Sequence, residues 1–480
     1  MADLRDQIRV LVRAVELAPF DAALLNALGD CYHMAKQYGL AVAAYTRAVK
    51  IVPKLVGTWY SMGCAQTSMG AFAAAVVSLR RALALDAGKP EFQHNLGRAL
   101  FEIGQADEAM EWFWKAAQLS SSALPLTTMA VIAPGVPGCG NADLLKLRRL
   151  WAERCLPVVE RPIAATLGGR LRIGYLSSFF HRPNWMKPVW GLINQHDRER
   201  FEVCLFSDAA MEGGYVPRAG DQVHDISKLS NEQAAEVIRG CKLDLLIDLN
   251  SFSAPERLPL LAMRPAGRIA AWFNLYATSG MPCFDYLIGD STVIPASEDS
   301  YYCEKIVRVA GSYLTFDVSY SVPDVSDRAG ACEIVFGCLA SQHKINNDVV
   351  AAWSRILLGA PASRLIVKNA TLGAADVREF LLGRFVAHGV DAGRVQIEGP
   401  AEHHEFLQTY GEIDVALDTF PYNGGTTTTE ALWQGVPVVT FLGDRWASRT
   451  SASILRAAGL DEFVRGSVDE YVDYAISLAG

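Results

Sequence analysis

Asp418-Thr419-Phe420-Pro421-Tyr422-Asn423-Gly424-Gly425-Thr426-Thr427-Thr428-Thr429-Glu430-Ala431-Leu432-Trp433 sets a polar, glycine-containing turn between an apolar run and an amphipathic one. The preceding Ile413-Asp414-Val415-Ala416-Leu417 reads as a buried strand. Glu430 to Trp433 reads as the body of a helix whose N-terminus is rich in hydroxyls. The first N–H groups of a helix have no partner inside it, and the helix dipole stands behind them, so an anion fits there. Gly424 and Gly425 let the backbone approach a ligand closely. The hydroxyls of Thr426 and Thr427 add donors, and Glu430 can accept hydrogen bonds from a ribose diol. Taken alone, the same residues also describe a Thr-capped helix after an ordinary turn.

The surrounding chain repeats this strand-and-helix alternation. Leu171–Leu176, Phe201–Phe206, Leu243–Asp248 and Gly267–Trp272 are short apolar runs separated by helical stretches. Glu333–Gly337, Arg364–Val367, Val395–Ile397, Val415–Leu417 and Val436–Thr440 form a second such series. Alternation of this kind predicts parallel sheets covered by helices on both faces, here two doubly wound domains in tandem. Ligands of such sheets bind at the carboxyl ends of the strands, where the Thr-rich turn stands.

The amino-terminal part has a different pattern. Leu28-Gly29, Met62-Gly63 and Leu96-Gly97 recur at a spacing of 34 residues. In register with them stand Ala41, Ala75 and Ala109, then Tyr45, Leu79 and Phe113, then Ala48, Ala82 and Ala116. Pro53 ends the first unit, and Leu11, Ala14 and Pro19 read as the second half of an earlier one. This length and pattern are those of the tetratricopeptide repeat, a helix-turn-helix unit whose stacking leaves a concave face for an extended peptide or partner helix. Ser120–Pro125 and Ala133–Gly140 are rich in helix breakers and predict a hinge. A helix from about Ala142 to Cys155 then bridges onward, with Leu144, Leu145, Leu147, Leu150 and Trp151 turned toward a core.

Composition bounds the function. The chain has 480 residues, a formal net charge of −8 and no basic tract, which argues against nucleic acid as its main partner. It has no apolar stretch long enough for a membrane span, and its start lacks the apolar core of a signal peptide, so a cytoplasmic location is expected. Ten scattered cysteines without a Cys-x-x-Cys pair, and no histidines at zinc spacing, predict reduced thiols and no metal site.

With these features in place, the chain resembles the O-GlcNAc transferase and SPINDLY family. The resemblance rests on the repeats, Leu171–Ser178, Asp248-Leu249-Asn250-Ser251, Ala277–Gly280, Glu304–Arg308, Lys344-Ile345-Asn346 and the run from Asp418 to Trp433. It implies a metal-independent glycosyltransferase of GT-B architecture, with no cofactor, that moves a sugar from a nucleotide sugar to Ser or Thr of a protein held by the repeats. The implied layout is a repeat domain over 1–122, a linker and bridging helix over 123–170, a first Rossmann-like domain over 171–328, and a nucleotide-sugar-binding one over 329–480. By resemblance, Lys344 neutralises the donor phosphate as the sugar leaves. Thr426 and Thr427 bind the donor phosphates, Asn423, Gly424 and Gly425 shape the turn, and Glu430 takes the place of the acidic ribose-binding residue.

Some positions depart from the family. Its active-site His falls on Pro183, with His181 two residues earlier as the catalytic candidate. A second His is replaced by Phe252. The base-stacking His falls on Phe406, with His403 three residues before it. Relatives continue past the position of Gly480 with further helices, which implies a truncated or trimmed carboxyl end.

Three functions follow. The first is a protein O-glycosyltransferase using a UDP-GlcNAc-like donor. The second is a flagellin glycosyltransferase using a CMP-nonulosonic acid, for which altered sugar-facing loops would suffice. The third is a non-catalytic repeat scaffold with a degenerate transferase half, which Pro183 and Phe252 would fit.

Overall fold

The computed structural model describes residues 2–157, 169–318, 320–325 and 333–480. The chain divides into two compact units, Met1–Leu126 with Cys338–Glu402 and Thr127–Gly337 with His403–Gly480. No helix among the described residues is long and apolar enough to cross a membrane.

The first unit opens with seven helices, α1 (Ala2–Leu17), α2 (Ala22–Met34), α3 (Tyr38–Ile51), α4 (Val56–Ser68), α5 (Phe72–Leu85), α6 (Pro90–Glu102) and α7 (Ala106–Leu119). The sequence period is a packing rule. A Cβ on Gly29 would lie 2.5 Å from Tyr45, one on Gly63 2.6 Å from Leu79, and one on Gly97 2.8 Å from Phe113. Each glycine thus leaves room for the large side chain 16 positions later, and Tyr45, Leu79 and Phe113 are fully buried in that room. The six alanines in register are buried as well, so paired helices approach closely along their length. α1 packs on α2, placing Val15 and Leu11 against Leu25 and Leu28. The same unit contains the helices Asn347–Gly359 and Ala375–Ala387.

The second unit carries a seven-stranded parallel sheet. Its strands are β1 (Leu171–Ser177), β2 (Phe201–Ser207), β3 (Gln222–Asp225), β4 (Leu245–Asp248), β5 (Ile269–Ala271), β6 (Tyr286–Asp290) and β7 (Lys305–Val309), in the order β3-β2-β1-β4-β5-β6-β7. The order reverses between β1 and β4, the topological switch point of a doubly wound sheet. The apolar-run reading reached β1, β2, β4 and β5 but not β3, β6 or β7. β3 and β7 are the two edges, each with residues in water, so their sequences are polar or alternating.

A second parallel sheet follows, with strands β8 (Ile334–Cys338), β9 (Ser363–Lys368), β10 (Val395–Glu398), β11 (Val415–Leu417), β12 (Val438–Phe441) and β13 (Val464–Arg465). Within the second unit β11 lies between β8 and β12, and β13 adds beyond β12. In the first unit β9 and β10 pair in parallel. The architecture is therefore tetratricopeptide helices followed by two parallel α/β sheets, the GT-B arrangement.

Two local expectations are corrected. Leu124–Ile132 is a helix despite Pro125, because a proline in the first turn gives up an N–H that would have no helical partner anyway. The bridging helix spans Asn141–Cys155, but Leu145, Leu147 and Leu150 are only half-buried, while Arg148 is fully buried beside Leu144 and Trp151. Its guanidinium donates to the carbonyls of Ala130, Leu275 and Thr278 and stacks 4.1 Å above the Phe252 ring. Phe252 thus serves as a packing platform beneath this guanidinium.

Candidate active site

The Thr-rich turn lies at the carboxyl end of β11 and begins the helix Thr426–Trp433. Asp418, buried at the strand's end, ties it down. One carboxylate oxygen accepts from the N–H groups of Thr419 and Gly424, both at 2.9 Å, and the other accepts from the Thr440 hydroxyl at 2.7 Å. The Asn423 amide donates to the Thr419 carbonyl at 2.7 Å, and its backbone N–H donates to Ala447 at 2.9 Å. A Cβ on Gly424 would meet the hydroxyl oxygens of Thr428 at 2.5 Å and Thr427 at 2.7 Å, so only glycine fits. The Thr429 N–H is the first in this helix to bond back, to the Gly425 carbonyl at 3.0 Å. The N–H groups of Thr426, Thr427 and Thr428 precede it in the first turn, where helical N–H groups point outward. Thr426 and Thr427 are half-buried, whereas Thr428 is buried and hydrogen-bonded to Ser451 at 2.8 Å. The turn is thus built from below and open at its first two threonines, a geometry suited to an anion.

One turn further on, Glu430 is buried and meets a partner the sequence reading missed. Lys187 Nζ lies 2.5 Å from Glu430 Oε1 and donates to the Tyr320 hydroxyl at 2.7 Å. His403 Nε2 lies 3.1 Å from the same hydroxyl and 3.9 Å from Glu430 Oε1. Burial pushes the Glu430 carboxyl up and the Lys187 ammonium down, and each partner's charge pulls the other back toward the ionised form. His403 is held down at about 4, first by burial and then by the Lys187 charge, so its imidazole is neutral near pH 7. Lys187 reaches this place on the helix Pro183–Gln195, which is flanked by an extended segment whose Thr315 and Asp317 N–H groups bond to the carbonyls of Pro188 and Lys187. No sequence motif announces Lys187. The available signal was a lysine flanked by Met186, Pro188, Val189 and Trp190 in an otherwise apolar helix face.

The remaining predicted residues divide between the units. Phe406 stands on the helix His403–Gln408, half-buried, its ring nearly parallel to His403 with centroids 6.4 Å apart. His403, rather than Phe406, joins the cluster around Glu430. His181 belongs to the second unit, one residue before the N-cap of the helix Pro183–Gln195. Its Nε2 lies 3.2 Å from Arg182 Nε, while Nδ1 is buried without a hydrogen-bond partner among the described residues. Its contact is thus with Arg182 and not with the Glu430 cluster. Lys344 belongs to the first unit, at the end of the 3-10 turn Gln342–Lys344.

At the switch point of the first sheet lies a further polar network. Asn250 Oδ1 accepts from the Ser178 N–H at 2.6 Å, and the Ser178 hydroxyl donates to Asp208 at 2.6 Å. Asp248 is wholly buried and pushed up to about 6 by burial, against N–H donation from Asn250 and Ser251.

Comparison with known proteins agrees with this architecture. Glycosyl transferase family 41 matches residues 159–333 and 330–480, and tetratricopeptide repeat families match 3–55 and 67–116. The probable UDP-N-acetylglucosamine–peptide N-acetylglucosaminyltransferase SPINDLY of Petunia hybrida is 32% identical over 320 residues, covering 65% of this chain and 34% of that protein. The SEC protein of Arabidopsis thaliana, which bears the same enzymatic name, is 28% identical over 364 residues, covering 70% and 37%. A solved lysine-to-methionine mutant of the Thermobaculum terrenum O-GlcNAc transferase superposes with a TM-score of 0.77 at 32% identity, covering 96% of this chain and 90% of that one. The chain spans about a third of the length of the curated relatives it matches. With repeats, two parallel sheets and the Thr-rich turn all matched in order, this chain belongs to glycosyl transferase family 41.

Proposed function

We propose that the chain transfers a sugar from a UDP-GlcNAc-like donor to a Ser or Thr hydroxyl of a protein carried by the repeats. The observation that carries this reading is the turn Gly424–Thr428, braced by Asp418 and open at Thr426 and Thr427, with the buried Glu430 one helical turn away. The donor diphosphate rests on the N–H and hydroxyl groups of Gly425, Thr426 and Thr427, and Glu430 takes the ribose diol through the oxygen not held by Lys187. The base stacks by Phe406 and His403. The acceptor oxygen attacks the anomeric carbon, the bond from that carbon to the phosphate oxygen breaks, and UDP leaves with the electron pair. Lys344 balances the charge that develops on the phosphate, and the hydroxyl proton passes to a base for which His181 is the candidate. A cytoplasmic location for the reaction belongs to the same proposal.

The names of the relatives favour a UDP-GlcNAc donor over a CMP-nonulosonic acid, and the braced turn favours an enzyme over a scaffold. Thermal unfolding with UDP, CMP, UDP-GlcNAc and a CMP-nonulosonate tests the reading. A ligand at about 100 times its Kd adds about 2.7 kcal/mol to the folded state. UDP and UDP-GlcNAc should raise the melting temperature and CMP should not. A rise with the CMP ligands alone would transfer the assignment to the second donor class, and no rise with any would overturn the transferase reading.

A further inference from the structure

The segment that carries Lys344 is packed against the repeats within the first unit. The Phe101 ring, at the end of α6, stacks on His343 with centroids 4.9 Å apart and planes 19° from parallel. Gly104, in the turn to α7, has φ +82, and a Cβ there would collide with the Ile345 carbonyl oxygen and lie 3.4 Å from the Gln342 one. Gln105 and Asn347 exchange amide hydrogen bonds of 3.1 and 3.3 Å. From the other side Arg384 donates to the Ile345 carbonyl at 3.0 Å and to Asn347 at 2.9 Å. The helix bearing Arg384 is itself tied to α5, where the Ala74 N–H donates to Asp376 at 2.9 Å. Lys344 therefore sits in a turn whose preceding and following residues are both held by the third repeat.

We infer that the third tetratricopeptide repeat is a positioning element for Lys344, so that the surface reading the acceptor and the cation assisting the leaving group form one mechanical piece. The inference rests on the proposed role of Lys344. A turn fixed by stacking, by a reciprocal amide pair and by contact with a glycine has little freedom, and electrostatic assistance to a leaving group depends on a preorganised charge. Burial holds His343 neutral, at about 3, so the stacked ring adds no second positive charge beside Lys344.

The repeat period supplies a matched control. Gly70 occupies the same turn one repeat earlier, with φ +76, but a Cβ there meets only Phe72, at 4.0 Å. Gly104→Ala and Gly70→Ala therefore carry similar backbone strain, and only the first displaces Ile345. Both full-length variants, with Phe101→Ala, its Phe101→Tyr rescue and Lys344→Met, are compared by UDP release from UDP-GlcNAc, UDP affinity and amide exchange of residues 341–347. Gly104→Ala and Phe101→Ala should lose at least about tenfold in kcat with UDP Kd unchanged within about twofold, and exchange at 342–346 should accelerate. Gly70→Ala and Phe101→Tyr should match the parent. Equal exchange at 342–346 in Gly104→Ala and Gly70→Ala would overturn the coupling whatever the turnover. If Lys344→Met keeps full turnover, the reading of Lys344 fails. If Lys344→Met loses turnover while Gly104→Ala keeps it, only the positioning role fails.

Discussion

Lys187 and Glu430 form an ion pair removed from water, Nζ to Oε1 2.5 Å, with side chains 1% and 6% exposed. Such a pair contributes little net stability when intact, because desolvation offsets attraction, but breaking it leaves one charge buried alone. The asymmetry makes it a sensitive probe of the cluster around Glu430.

Lys187→Met should destabilise the protein by about 3–5 kcal/mol, since Glu430 is left buried with the Lys187 charge gone. The double variant Lys187→Met/Glu430→Gln should recover part of that loss. Urea unfolding of the two singles and the double gives the coupling energy, and an additive result would contradict the buried pair.

Gly97→Ala should cost about 1–3 kcal/mol, because the new methyl would press within 2.8 Å of the buried Phe113 ring. Gly57→Ala on α4, where a Cβ meets nothing within 4 Å, should instead stabilise by up to about 1 kcal/mol through helix propensity. Melting temperatures of the two variants should shift in opposite directions.

Acid should destabilise the fold through its buried neutral histidines. His343 is pushed down to about 3 and His403 to about 4 from 6.5, so both remain unprotonated in the folded chain at pH values where the unfolded chain already binds protons. Their contribution is present above about pH 6.5 and is lost as pH falls toward 4 and then 3, at up to about 1.4 kcal/mol per pH unit for each proton. His343→Phe keeps an aromatic ring on Phe101 and removes one titration. Its unfolding free energy should fall less steeply between pH 6.5 and 4 than the parent's, and parallel curves would exclude His343 as a source.

Arg148→Met should cost about 3–5 kcal/mol, since the carbonyls of Ala130, Leu275 and Thr278 lose their common donor and Phe252 loses its cation. Phe252→His should be milder, because an aromatic ring still underlies the guanidinium. Chemical denaturation of both variants ranks the two contributions.

The periodic and local features of this protein were determined by sequence alone. Gly29, Gly63 and Gly97 announce the repeats because each unit must solve the same packing problem against Tyr45, Leu79 and Phe113. The turn from Asp418 to Glu430 is legible because strand, turn and helix N-terminus are contiguous, so residue type at each step reports backbone geometry directly. Tertiary structure decided what joins distant segments. Lys187 is 243 residues from Glu430, and a buried lysine leaves no periodic trace from which its partner could be read. Arg148 sits among the charged residues of the bridging helix, and nothing in that sequence sets it apart from a solvated arginine until three carbonyls from other segments converge on it. The grip of Phe101, Gly104 and Gln105 on the Lys344 turn likewise arises only when the chain closes, because buried polar and stacking contacts are fixed by the packing of whole elements and not by the sequence near either end.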